Sequence, residues 1–235
     1  MHVDLSEPNR GFLALLDDTS ALIVVDANFY LPPDRTKIGV RYKYSFEEYR
    51  KVWIDPMHKV FHNLAIHEAV LDELVEKAPS VFVQDCIGAS EPPKLLLLSD
   101  KHLSVNEEAI RKTKEARIAE YTKYDPLRDN KDDRGEVKSL AHMGTMNYIY
   151  FSTNDANALR LIEEAEKLKT TLDDLRAVHF YEGIYFLQKK NVVDQNDARK
   201  LYRYHYYMTR KEKLKNPSWE EFLRDMDALY ATKIG

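Results

Sequence analysis

Four acidic residues occupy comparable places in this chain. Asp26 follows the apolar run Ala21–Val25, Glu73 lies in VLDEL, Glu136 follows Gly135, and Asp155 lies in STNDAN. Carboxylates that meet in space repel unless a cation, protonation or basic neighbours compensate them. Mg²⁺ and Mn²⁺ suit such a cluster, because hard ions prefer oxygen ligands and keep several waters. An ion of that kind polarises a phosphoryl oxygen and lowers the pKa of a bound water. This is the chemistry of phosphodiester hydrolysis without a protein nucleophile. Taken singly, each acid reads as a surface charge or a helix cap, and Asp155 in particular would complement a helix N-terminus. The joint pattern carries the expectation.

Other chemistry is less well supported. His58 and His62 have the i, i+4 spacing of a helical metal pair. His67-Glu68 begins like H-E-x-x-H, but position 71 is Leu. These histidines read as surface or partly buried. The single cysteine, Cys86, excludes an internal disulfide and a cysteine-based zinc site, and reads as a buried small residue. No G-x-S-x-G, P-loop or G-x-G-x-x-G is present. An Asp-led strand also opens haloacid-dehalogenase-type phosphatases, which usually place a second acid two residues on. Here that position is Asn28.

The stretch 199–215 carries Arg199, Lys200, Arg203, Arg210, Lys211, Lys213 and Lys215 against one acid, Glu212, with Tyr202, Tyr204, Tyr206 and Tyr207 interleaved. Basic groups neutralise phosphates and tyrosines stack on unpaired bases. Arg199, Lys200, Arg203, Arg210 and Lys211 are the candidate nucleic-acid contacts. The competing expectation is a helix that buries a Leu201, Tyr204 and Met208 stripe and exposes its lysines.

The elements that must position these residues follow from pattern. ALIVVDANFY (21–30) reads as a strand buried on both faces, with Asp26 at its carboxyl end, where open α/β sheets bind ligands. Residues 8–18 read as a short helix ahead of it, and 35–44 as a loop or insertion. Ser45 and Glu48 form a capping box opening a helix that ends before Pro56. Residues 63–77 read as a short strand (LAI) turning into an amphipathic helix with Leu71, Leu74 and Val75 on one face. SVFVQDCI (80–87) reads as a second strand, after which Pro92-Pro93 punctuates. Ser104 and Glu107 cap a long, solvated helix to about Tyr124, followed by a charged loop over 125–133. Gly135–Met146 is read as a helix, Tyr148–Ser152 as a third strand, Asp155–Lys169 as a helix capped by Asn154, and Leu172–Lys190 as another helix. A tail over 194–215 precedes a final helix with Pro217 at its first position. Strands alternating with helices mean a mostly parallel sheet.

A chain of 235 residues with 44 % hydrophobic residues can bury a sizeable α/β core. Its 7 glycines and 31 % charged residues favour helix over a turn-rich β fold. The net charge of −4 argues against a uniformly basic nucleic-acid binder and leaves room for a local basic face. With no long apolar run and no basic-then-apolar leader, the expected setting is soluble and cytoplasmic, with no membrane partner.

Across roughly residues 20–193 the sequence resembles the PIN-domain family of metal-dependent nucleases. Val24-Val25-Asp26-Ala27-Asn28 matches its apolar strand ending in Asp-x-Asn. Val70-Leu71-Asp72-Glu73-Leu74 matches its acidic helix start. Gly135-Glu136 with Ser139-Leu140-Ala141 matches the Gly-Glu pair of one branch, and Ser152-Thr153-Asn154-Asp155 matches its strand followed by Thr-x-Asp. The segments 31–60 and 88–132 are longer than compact members need, and the tail after 193 is unmatched. The resemblance implies a three-layer α/β/α sandwich over 1–193, with insertions at about 31–60 and 88–132, and a helical C-terminal extension over 194–235. It implies one or two Mg²⁺ or Mn²⁺ ions, with Asp26 and Asp155 as direct ligands and Glu73 and Glu136 acting directly or through waters. Asn28, Thr153 and Asn154 would support the site. The implied activity is cleavage of single-stranded RNA, or of DNA, by metal-activated water, with an antitoxin-like protein or a second copy as further partner. Two other classes stay open: a non-catalytic nucleic-acid-binding or protein-interaction module on this fold, and a metal-dependent phosphatase of small substrates.

Overall fold

The computed structural model describes residues 2–88 and 93–234. Its centre is one five-stranded, all-parallel sheet in the order β3-β2-β1-β4-β5 with flanking helices, consistent with a three-layer α/β/α sandwich. The strands are β1 (Ile23–Val25), β2 (Leu64–His67), β3 (Leu96–Leu98), β4 (Tyr150–Thr153) and β5 (Arg176–His179). Every residue of β1 and β2 is buried, as an interior parallel strand requires. In register, Val24 faces Ala65 on one side and Phe151 on the other.

The chain forms two compact units. One comprises 20–29 and 63–177. It holds β1 to β4 and packs Val24, Ala65 and Phe151 against Ile118, Val137, Leu140, Ala141 and Leu161 from its helices. The other comprises 1–19, 30–62 and 178–235. The segments 31–60 and 194–235 therefore belong to one unit, together with the N-terminus and the helix Phe180–Lys189.

Several elements differ from the sequence expectation. Residues 80–87 belong to a helix, Lys77–Gly88, because Pro79, Val83 and Cys86 bury one side at helical spacing while Val81 faces out. The strand on that side of the sheet is β3, within the segment read as an insertion; Pro92 lies outside the described residues. The helix after β2 is a single turn, Glu68–Leu71, and Val75 is 87 % exposed, not part of a buried face. The helix read over 172–190 is β5 followed by Phe180–Lys189. Asp155 caps Ala156–Glu163 by accepting from the N–H groups of Asn157 and Ala158, so the cap is Asp155 and not Asn154. Pro217 precedes the final helix, Trp219–Ile234. Both capping boxes form as read. The helix Val105–Ala119 is not simply solvated: Arg111, Glu115 and Ile118 are buried.

Pro56 does not end its helix. Phe46–Tyr49 runs into a π turn, Arg50–Ile54, and on through Asp55–Val60. Asp55 N–H bonds to the Arg50 carbonyl five residues back, a widened turn that accommodates a proline without an amide proton. In the same unit a Cβ added at Gly183 would lie 2.8 Å from Cη2 of Trp53, a fully buried ring. Gly183→Ala is expected to overpack this contact by more than the helix-propensity gain of alanine, lowering Tm by about 2–4 °C in a thermal melt. An unchanged or higher Tm would show that the Trp53 ring can move aside.

Candidate active site

β1 is the point where the strand order reverses, with β2 and β3 on one side and β4 on the other. Open parallel sheets bind ligands in the crevice outside the carboxyl ends at such a point. Asp26 directly follows β1 and Asp155 follows β4, so the sequence delivers two carboxylates to that crevice. Glu73 comes from the turn after Glu68–Leu71, and Glu136 from the first turn of the helix Arg134–Met146.

Asp26 is buried and closely held. Its Oδ1 accepts the Ala27 N–H at 2.8 Å, and its Oδ2 accepts Asn28 Nδ2 at 2.5 Å and the Thr153 hydroxyl at 3.0 Å. Thr153 Oγ1 in turn accepts the Asp155 N–H at 3.0 Å. Asn28 Oδ1 accepts the Asn154 N–H at 3.2 Å. The three supporting residues read from sequence thus tie the β1 and β4 ends together, Asn154 through its backbone.

Glu73 is held by Gly135, whose N–H donates to Oε1 at 2.7 Å. A Cβ at Gly135 would meet the Glu73 carboxyl carbon at 2.7 Å, so this close approach needs glycine. Neighbouring Asp72 instead pairs with Arg134 at 3.4 Å. Glu136 Oε1 accepts from Asn157 Nδ2 at 3.3 Å, and Asn157 N–H donates to Asp155 Oδ1 at 2.7 Å. Asn157 therefore bridges two of the acids, and Arg160 holds its other side-chain end at 2.9 Å. The sequence signal for Asn157 is a repeat: Asp-Ala-Asn occurs at 26–28 and again at 155–157.

Burial, with neighbouring carboxylates adding to it, raises three of the four acids. Burial, with Asp155 nearby, pushes Asp26 up to about 6 against its hydrogen bonds. Burial pushes Glu73 up to about 7, with Asp26 adding to the effect and the Gly135 N–H opposing it. Burial and the charges of Asp155 and Asp26 push Glu136 up to about 9. Among the described residues, none of the four forms an ion pair with a basic side chain; Arg134 is engaged by Asp72 and Asp129. Only Glu73 feels a nearby positive charge, that of Arg134, and carboxylates so little compensated suit a divalent cation. No three of their oxygens lie within 4.8 Å of one another, since the one such group among the described residues is His67, Asp100 and His142. An ion here would therefore be bonded by no more than one or two of these carboxylates and would reach the others through its waters.

The basic stretch is arranged differently from the stacking expectation. Arg199, Lys200, Arg203, Arg210 and Lys211 are all exposed, in the unit that does not contain the acids. Arg199 pairs with Glu220 and Lys200 with Asp197. Tyr202, Tyr204 and Tyr206 are buried: Tyr202 stacks on Phe222 at 4.3 Å, and the Tyr204 hydroxyl bonds to the Pro33 carbonyl at 2.7 Å. These three rings serve the core and cannot receive bases.

His62 is exposed and His58 half-buried beside Tyr30, but His67 is core, at 1 % exposure. Its partners Asp100 and His142 lie in no sequence motif, so the grouping is invisible until the strands pair. Cys86 is buried, on a helix. No helix among the described residues is long and apolar enough to cross a membrane. Comparisons with protein-family models, curated proteins and solved structures find no match to this chain.

Proposed function

We propose that this chain is a PIN-like, Mg²⁺- or Mn²⁺-dependent nuclease that cleaves single-stranded RNA by water attack on the phosphodiester. The observation that carries the reading is that Asp26 and Asp155 follow the adjacent strands β1 and β4 at the reversal point of a parallel sheet, with Glu136 feeling the charge of both and Glu73 that of Asp26. When bound, the ion supplies charge to a phosphoryl oxygen and a water of lowered pKa. The protein's part is positional. Ala27, Asn28 and Thr153 fix the buried Asp26 carboxylate, and Asp155 is exposed. Asn157 holds Glu136 and Asp155 in one arrangement, and Gly135 holds Glu73.

The small-substrate phosphatase is less favoured by the same contacts. Haloacid-dehalogenase-type phosphatases usually place a second acid two residues after the first, and here that place is filled by an amide that donates to Asp26. The test uses purified protein with labelled single-stranded RNA, single-stranded DNA and a chromogenic phosphomonoester, each with Mn²⁺ and with EDTA. Metal-dependent internal cleavage of RNA supports the reading. Turnover of the monoester alone would reassign the site, and no turnover of any substrate would leave a binding module.

Gly135→Ala separates site from fold. The added methyl collides with the end of a flexible side chain, so Glu73 swings away while the backbone stays. Displacement of about 1 Å at a reacting centre costs about 10²-fold in rate. The expected result is a cleavage rate lower by about that factor with Tm within a degree or two of wild type. Full activity would show that Glu73 is dispensable.

A further inference from the structure

Beside the acids, on the same carboxyl edge of the sheet, lies a second group of metal-competent side chains. His67 closes β2, Asp100 opens the short turn Asp100–His102 after β3, and His142 sits in the helix Arg134–Met146. One ligand atom from each lies within 4.8 Å of the others. His142 Nδ1 stands 2.8 Å and His67 Nε2 3.3 Å from the same oxygen, Asp100 Oδ1. Ligands bonded at about 2.0–2.1 Å to a tetrahedral ion stand about 3.3 Å apart; His67 Nε2 and Asp100 Oδ1 are already at that spacing, and His142 Nδ1 lies closer to Asp100, so a small outward shift of its ring completes the set.

The surroundings fix the group. Both rings are buried. Arg111 Nε lies 3.2 Å from Asp100 Oδ2, the oxygen that the histidines do not use, and Arg111 pairs with buried Glu115 at 3.1 Å. Glu68 accepts the Asp100 N–H at 3.0 Å. Partners of this kind orient a ligating carboxylate and are part of a working metal centre.

We infer that His67, Asp100 and His142 form a binding site for a borderline transition cation of the Zn²⁺ class, separate from the acid pocket. Two imidazoles and one carboxylate select Zn²⁺, Co²⁺ or Ni²⁺ over Mg²⁺, whereas the all-oxygen pocket does the reverse. Three protein donors leave the fourth position of a tetrahedral ion to water. The helix Arg134–Met146 carries both Glu136 and His142, so an ion on the histidines pins the helix that presents Glu136. The inference stands apart from the nuclease reading, because it uses none of the four acids.

Binding has a specific signature. His67 Nδ1 accepts the Ala69 N–H at 3.2 Å, which places the ring proton of the ion-free state on Nε2, facing Asp100. His142 donates to Asp100 from Nδ1. Ligation through His67 Nε2 and His142 Nδ1 displaces the ring proton of each from the nitrogen that faces Asp100. It also ends the Ala69–His67 hydrogen bond that caps the turn Glu68–Leu71.

The test titrates EDTA-treated Asp26→Asn protein with Co²⁺, a visible stand-in for Zn²⁺, so that the acid pocket is already impaired. The expected result is a ligand-field band saturating at one equivalent and lost on adding Zn²⁺. His67→Gln and His142→Gln should each weaken it by about tenfold or more. Because either variant can fail to fold, the wild-type chain is read in parallel by NMR. Zn²⁺ should shift the Ala69 amide and switch the tautomers of both histidines. No band and no Ala69 shift, or a band untouched by both histidine substitutions, would overturn the site.

Discussion

Asp26→Asn is expected to lower the metal-dependent cleavage rate by at least about 10³-fold while the protein remains folded. A metal ligand contributes several kcal/mol of transition-state stabilisation, and each 1.36 kcal/mol is a factor of ten. Asparagine keeps the shape of the side chain and can still accept the Ala27 N–H. It cannot accept from both Asn28 and Thr153 at the position of Oδ2, which costs part of a hydrogen-bond network. Removing a buried charge that sits beside Asp155 offsets that loss at neutral pH. Circular dichroism and a melt within a few degrees of wild type, together with a lost rate, match the account. A rate within tenfold of wild type would remove Asp26 from the metal site.

Glu136→Gln is expected to stabilise the metal-free protein at alkaline pH and to remove activity. Glu136 is held near 9, Glu73 near 7 and Asp26 near 6, all raised above their ordinary values, chiefly by burial. A carboxyl with a raised pKa in the fold binds its proton more tightly folded than unfolded. Its contribution to stability is therefore complete below about pH 4 to 4.5 and is lost as pH rises through 6 to 9. Wild-type protein in EDTA should melt at falling temperatures across that window. Glutamine at 136 removes the largest of the three shifts and should flatten the decline, a gain on the order of 3 kcal/mol at pH 8. Mn²⁺ should do the same for wild type, because a cation that binds only the folded state stabilises it by mass action. A flat pH profile in EDTA would mean that these carboxyls are not raised in the fold.

The places of the acids in the fold were legible because Asp26 and Asp155 follow strands, Glu73 follows a helix turn and Glu136 opens a helix, and local pattern marks such places well. Apolar runs before Asp26 and Asp155 marked β1 and β4, and Ser45-Glu48 and Ser104-Glu107 marked two helix starts. β3 and β5 were not legible. Leu96–Leu98 is three leucines with no alternation, and leucine favours helix in isolation. Arg176–His179 is four residues adjoining an apolar helix. Conversely, Val81 and Val83 mimic strand alternation, but tertiary burial of Pro79, Val83 and Cys86 decides for helix. The tyrosines at 202, 204 and 206 read both as base platforms and as core, and packing against partners such as Phe222 decides for core. His67, Asp100 and His142 are distant in sequence and meet only through pairing of β2 with β3 and the packing of Arg134–Met146, so no local pattern announces them.

The most direct measurement of the central claim is a crystal soaked in Mn²⁺ and examined by anomalous scattering. The account predicts an ion at the reversal point between β1 and β4, bonded directly to Asp26 and Asp155, with Glu73 and Glu136 reached directly or through its waters. An Mn²⁺-soaked crystal with no anomalous peak among these four residues, or with its peak elsewhere, would contradict it.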